Sequence, residues 1–144
     1  MYECEYFKIQ ELVSPAVYKK FGNFAWSFFD TEILKELDEI RRFHGMPIII
    51  NNWTSGGYFS QCGLRCNIDS LVKNKKDVYC SAHIMGKAFD LHSNNNVKLY
   101  EDIKFLISNG NFKHFKRLES PKSTNYGWVH VDSFRTKDNK LEIF

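Results

Sequence analysis

Proline and glycine are scarce, at 3 and 8 of the 144 residues. Collagen-like, Pro-rich and low-complexity chains carry far more of both, so those classes are excluded. No charge of one sign dominates: Lys+Arg 20 against Asp+Glu 17 leaves a net +3. That balance is too mild for a nucleic-acid protein, which usually concentrates its basic residues in a stripe. No apolar run approaches the ~18 residues that a membrane span requires. The opening Met1-Tyr2-Glu3-Cys4-Glu5-Tyr6 has no basic segment leading into an apolar one, so a Sec signal peptide is not expected. Reduced thiols are then the default for Cys4, Cys62, Cys66 and Cys80. Cys62-x3-Cys66 lacks a second close Cys or His pair, and reads as half-buried thiols ahead of a zinc site. What is plentiful is core material: 43% of the chain is hydrophobic and 16% aromatic. Residues 1–144 suit a single domain with its own core.

No internal repeat or linker interrupts the chain. Residues 7 to 29 are rich in aromatics and are expected to wrap the core in short helical turns. Asp30-Thr31 offers a helix N-cap, and Ile33, Leu34, Leu37, Ile40 and Phe43 recur at helical spacing. Gly45 ends that helix and Pro47 prevents its return. Glu32, Glu36, Glu39, Arg41 and Arg42 then form a solvated face. Pro47 to Asn52 reads as a buried strand. Residues 53–80 read as a long ordered loop, with a short helix near 69–75. Residues 87–92 alternate as a strand. Asn94 to Asn96 cap a second helix with Val97, Tyr100, Ile103, Leu106 and Ile107 on its apolar face, and Gly110 lies beyond its end. Strands are expected at 112–119, 128–132 and 141–144, with a turn at 121–125. The expected fold is α+β: a small antiparallel sheet with helices packed on one side.

Two stretches carry the chemistry. In the strand at 87–92, Ala88, Asp90 and His92 share one face. In the strand at 128–132, Trp128, His130 and Asp132 share another. If the strands are neighbours, Asp90 and His130 converge, and a turn at Gly86 brings His83 over them. Two histidines and a carboxylate around one point suit Zn²⁺, and three protein ligands leave a fourth position for water. The same residues also admit a plainer account, with satisfied core histidines and Asp90 capping the helix that follows.

Ser81-x-His83-x-x-Gly86-x-Ala88-x-Asp90 with Trp128-x-His130-x-Asp132 resembles the zinc D-alanyl-D-alanine peptidases. That family includes D-Ala-D-Ala carboxypeptidases and phage L-alanyl-D-glutamate endopeptidases, and shares its fold with the hedgehog signalling domain. Ile50-Asn51-Asn52-Trp53, Gly56-Gly57 and Gly63-Leu64-Arg65 are similar to the stretch preceding the metal motif in phage members, so the resemblance runs from about Ile48 to Asp132. It implies a hedgehog-type fold, with His83, Asp90 and His130 as zinc ligands. Arg65 would hold a substrate carboxylate or carbonyl, with a surface arginine as the alternative. Ser81 would bond substrate or orient His83, or else only cap its loop. Asp132 would fix a ligand histidine or the strand. Many relatives place an acidic general base three residues before the last histidine, where this chain has Gly127. Glu119 is the expected substitute, unless it is only a surface carboxylate; Asp132 and His114 are the fallbacks.

The resemblance implies a zinc peptidase that cuts peptides of bacterial peptidoglycan, of phage or prophage origin. Such a protein would be made in the host cytoplasm and would reach the wall after lysis or within a virion, in company with virion proteins. The alternative is a zinc-bearing domain of the same fold that has lost catalysis and serves as a binding or virion structural module. Neither membrane insertion nor nucleic acid is expected. Short basic clusters at Lys73, Lys75 and Lys76, and at Lys113, Lys116 and Arg117, could meet anionic wall polymers or nothing.

Overall fold

Residues 30–45 fold as their spacing predicts. α3 spans Thr31–His44, with Asp30 accepting a hydrogen bond from the Glu32 N–H at 2.8 Å. Gly45 ends it in the left-handed conformation (φ 73°), its N–H donating to Arg41. Ile33, Leu34, Leu37 and Ile40 are buried, each contributing roughly 1.5–3 kcal/mol relative to exposure. Phe43 instead lies at the rim and stacks on Phe105 at 5.6 Å. The computed structural model describes all residues 1–144.

Before α3 come α1 (Ile9–Leu12), α2 (Pro15–Phe21) and a 3₁₀ segment at Gly22–Phe28. After it come β1 (Ala88–Leu91), α4 (Asn96–Ser108), β2 (Arg117–Leu118), α5 (Pro121–Thr124), β3 (Val129–Asp132) and β4 (Glu142–Ile143). The sheet order is β1-β3-β2-β4. β3 is central and antiparallel to both neighbours, with Asp90 opposite His130. Phe89, Leu91, Leu118, Val129 and Val131 join the core that α3 and α4 supply. The helices therefore cover one face, and Asp90 and His130 occupy the other. This is an α+β single-domain fold.

Several local expectations change. The sheet is mixed rather than antiparallel, because β4 runs parallel to β2. The strand expected at 112–119 shortens to two residues, since Phe112 and Phe115 turn into the core and Glu36 binds the backbone between them. Pro47 to Asn52 forms only a bridge from Ile49 to His92. The helix near 69–75 is a run of turns, and α5 replaces the turn at 121–125. On α4, Leu99 is buried where Val97 had been expected, and Val97 is exposed. The reason is phase: residues 99, 103, 106 and 107 lie one above another on the covered side.

Two acids of α3 do work that the spacing did not reveal. Glu36 accepts from the backbone N–H groups of Lys113, His114 and Phe115 at 2.7–3.0 Å. Asp38, buried, accepts from the Tyr2 hydroxyl and the N–H groups of Glu5 and Tyr6. Burying a carboxylate is costly unless such donors surround it. Each acid thus ties a distant segment to α3.

Candidate metal centre

The centre is assembled by β1, β3 and the loop before them. Gly86 turns the chain at φ 66°, where an added Cβ would stand 2.8 Å from Phe28 O. The turn sets His83 above Asp90. Gly63 is squeezed against α1: an added Cβ would meet Leu12 O at 2.0 Å. That close approach places Gly63 O 2.9 Å from His83 Nδ1. Asn51, buried, helps hold the same loop, donating to Val13 O at 3.0 Å and accepting from the Cys62 N–H at 2.9 Å.

These contacts decide which ring nitrogens are free. Gly63 O can only accept, so His83 Nδ1 carries the proton and Nε2 is bare. His83 Nε2 lies 3.4 Å from Asp90 Oδ2. On β3, Asp132 Oδ2 lies 3.1 Å from His130 Nε2, where it can accept that nitrogen's proton in a hydrogen bond when Nδ1 serves as a ligand. His130 Nδ1 then faces Asp90 Oδ1 at 2.8 Å. Two ring nitrogens thus converge on one carboxylate, an arrangement suited to a cation or a proton between them. The three ligand atoms lie within 4.8 Å of one another. His83, Asp90 and His130 could therefore hold a metal ion, and the donor set fits a borderline one.

Without a metal, protons fill that role. Burial alone would raise the Asp90 carboxyl, but hydrogen bonds and charge from His130 and His83 outweigh it and hold the group below the usual carboxylate range. Burial would likewise lower His130, yet its bonds to Asp132 and Asp90 push it up to about 9. A metal must displace that proton. At neutral pH the metal-free ring is charged, so raising the pH favours binding. Apparent metal affinity should rise about tenfold per pH unit from near neutrality and level off above pH 9. Competition against a chromogenic chelator across that range measures the slope, and a flat profile would remove His130 from the ligand set.

Arg65 is brought to the centre. Its Nη2 lies 3.3 Å from Asp90 Oδ2 and its Nε donates to Gln61 O. Two of its five N–H donors are thereby used, and the side chain also lines a cavity of about 370 Å³ beside Asp90, with Tyr58, Phe59, His92 and Trp128 among the walls. Glu119 sits one residue beyond β2, its N–H donating to His130 O at 3.1 Å. Strand alternation puts its side chain on the His130 face. Gly127 has little room for a larger residue, because a Cβ would meet Thr124 O at 3.2 Å.

Other expected residues stand apart. Ser81 Oγ accepts from the Ile84 N–H at 3.4 Å, so it caps its turn, and the orienting of His83 falls to Gly63 O. His114 is paired with Glu36 at 3.2 Å, away from the three ligands. His44, fully buried, bonds Asp102 and Ser93, each at 2.7 Å, linking α3 to the start of α4. His92 donates from Nδ1 to Ile49 O and stacks on Phe59 at 3.9 Å. The four cysteines are unpaired, and burial beside Asp90 pushes the Cys62 thiol up to about 12. Asn51 and Gly63 enter the sequence reading only within the resembled stretch, and Arg117 only within a basic cluster; none carries there the role it has in the fold. Arg117 stacks over Phe144 at 4.2 Å and lies 3.4 Å from Asp132. No family model, curated protein or solved structure matches the chain.

Proposed function

We propose that the chain is a zinc-dependent peptidase acting on bacterial peptidoglycan, of the D-Ala-D-Ala carboxypeptidase or L-Ala-D-Glu endopeptidase type. The observation that carries this reading is the convergence of His83 Nε2, His130 Nδ1 and the Asp90 carboxylate beside an open cavity. When bound, zinc supplies Lewis-acid chemistry, polarising a carbonyl and acidifying water. Arg65 holds a carboxylate or carbonyl oxygen of the substrate with its remaining donors. Asp132 keeps the His130 ring in one tautomer and orientation. Glu119 takes the proton of the attacking water and returns it to the leaving amine. The cavity walls near Tyr58 and Trp128 receive the peptide. The setting is a phage or prophage lysin or virion component, which meets the wall after lysis or on a particle.

Mass spectrometry of fragments released from defined peptidoglycans tests this. The expected result is release of peptides cleaved next to a D-residue, abolished by a chelator and restored by zinc. One feature favours a second reading, a non-catalytic wall-binding or virion module of the same fold: Gly127 stands where relatives of the resembled family carry an acid. Stoichiometric zinc with no released fragment would establish that reading and overturn the first.

A further inference from the structure

Beyond the C-terminal end of β3 lies a second hollow, of about 480 Å³. Its basic walls are Lys113, Lys116 and Arg135, with His114 beside them. Ser133, Thr136 and Asn139 complete it, so no acidic or apolar side chain lines it. Lys116 is the only buried lysine of the chain, at 9% exposure. Its Nζ donates to Phe112 O at 3.0 Å, which uses one of three N–H donors. No carboxylate pairs with Lys113, Lys116 or Arg135.

Asp138 and Glu142 form no ion pair with these cations and do not line the hollow, and Glu36 and Asp132 are already committed. Glu36 is held by three backbone N–H groups and by His114. Asp132 is held by His130, by the Phe134 N–H and by the Arg117 guanidinium. Neither lines the hollow. A desolvated ammonium without a counter-charge is unfavourable, and buried charges are ordinarily paired. An anion in the hollow supplies the counter-charge that these residues lack. Lys113 and Lys116 are also an excess that the metal centre does not use.

We propose that this hollow is an anion site that takes a phosphate group. A phosphate presents several acceptor oxygens at once, matching cations that approach from the 113–116 segment and from Arg135. The neutral donors on the same walls suit oxygens rather than a halide. The phosphate can be free, or it can be one link of a phosphodiester polymer. The site is separate from the metal centre and does not depend on it.

Calorimetric titration of the full chain with inorganic phosphate, at constant ionic strength set by chloride, tests the proposal. Binding should saturate at one phosphate per chain. Arg135→Gln should weaken it at least tenfold, with zinc content unchanged. Arg135 is exposed, so that variant keeps the fold even where Lys116→Met does not. A parallel titration with poly(glycerol phosphate) separates the sources: tighter binding per phosphate identifies the polymer, and equal binding identifies free phosphate. Absence of saturable binding, or binding undiminished in Arg135→Gln, would overturn the site.

Discussion

His83→Ala should abolish stoichiometric zinc binding while leaving the fold intact. The side chain makes one hydrogen bond to the protein framework, to Gly63 O, worth about 1 kcal/mol net. The core of α3, α4 and the sheet does not depend on it. Its Nε2, however, is one of only three converging ligand atoms. Loss of an outer partner such as Asp132 costs roughly 10–100-fold in metal affinity. Loss of a ligand itself should exceed that. The variant should therefore lose zinc during dialysis that leaves the wild type loaded, with an unchanged circular dichroism spectrum. Asp132→Asn should fall between the two. Retention of full zinc by His83→Ala would dissolve the ligand assignment.

Glu119→Gln should lower turnover on peptidoglycan by about 10²-fold or more, without loss of zinc. Asp132 is 1% exposed and already pairs with His130 and the Phe134 N–H, with the Arg117 guanidinium 3.4 Å away, so burial keeps it from a substrate. His114 faces Glu36 and the basic hollow. Gly127 cannot carry a proton. Glu119, one residue beyond β2, is the neighbour of His130, and its carboxylate makes no hydrogen bond within the chain, so it is free to act. The amide variant keeps size and removes basicity. Steady-state rates with zinc content measured on the same sample make the test. Wild-type turnover would return Glu119 to the surface.

Much of the local architecture was legible because it is written in short periods. α3 follows from apolar spacing between Asp30 and Gly45. β1 and β3 follow from alternation that separates Asp90 and His130 from Phe89 and Val131. The candidate metal residues were legible for the same reason: alternation put two of them on one face, and Gly86 supplied the turn for the third. The charge run on α3 misled, because solvated and clamping carboxylates look alike in sequence. Glu36 and Asp38 differ from Glu32 only in the backbone amides that distant segments bring to them. The two-residue β2 and the lone bridge at Ile49 were illegible because a strand ends where its partner ends, and a partner is a long-range fact.

By itself, the sequence determined the composition of a single α+β core, the main helices, the two strands that carry Asp90 and His130, and the donor types available to a metal. Periodicity and turn chemistry are local, so they survive in a linear reading. Tertiary structure alone decided the rest. It set β4 parallel to β2, left His83 Nε2 bare through Gly63 O, turned His130 Nδ1 toward Asp90, and placed Glu119 opposite His130. It also left Lys116 buried without a carboxylate. Each of these depends on which group from a remote segment comes within hydrogen-bonding or ion-pairing distance, and only packing determines that.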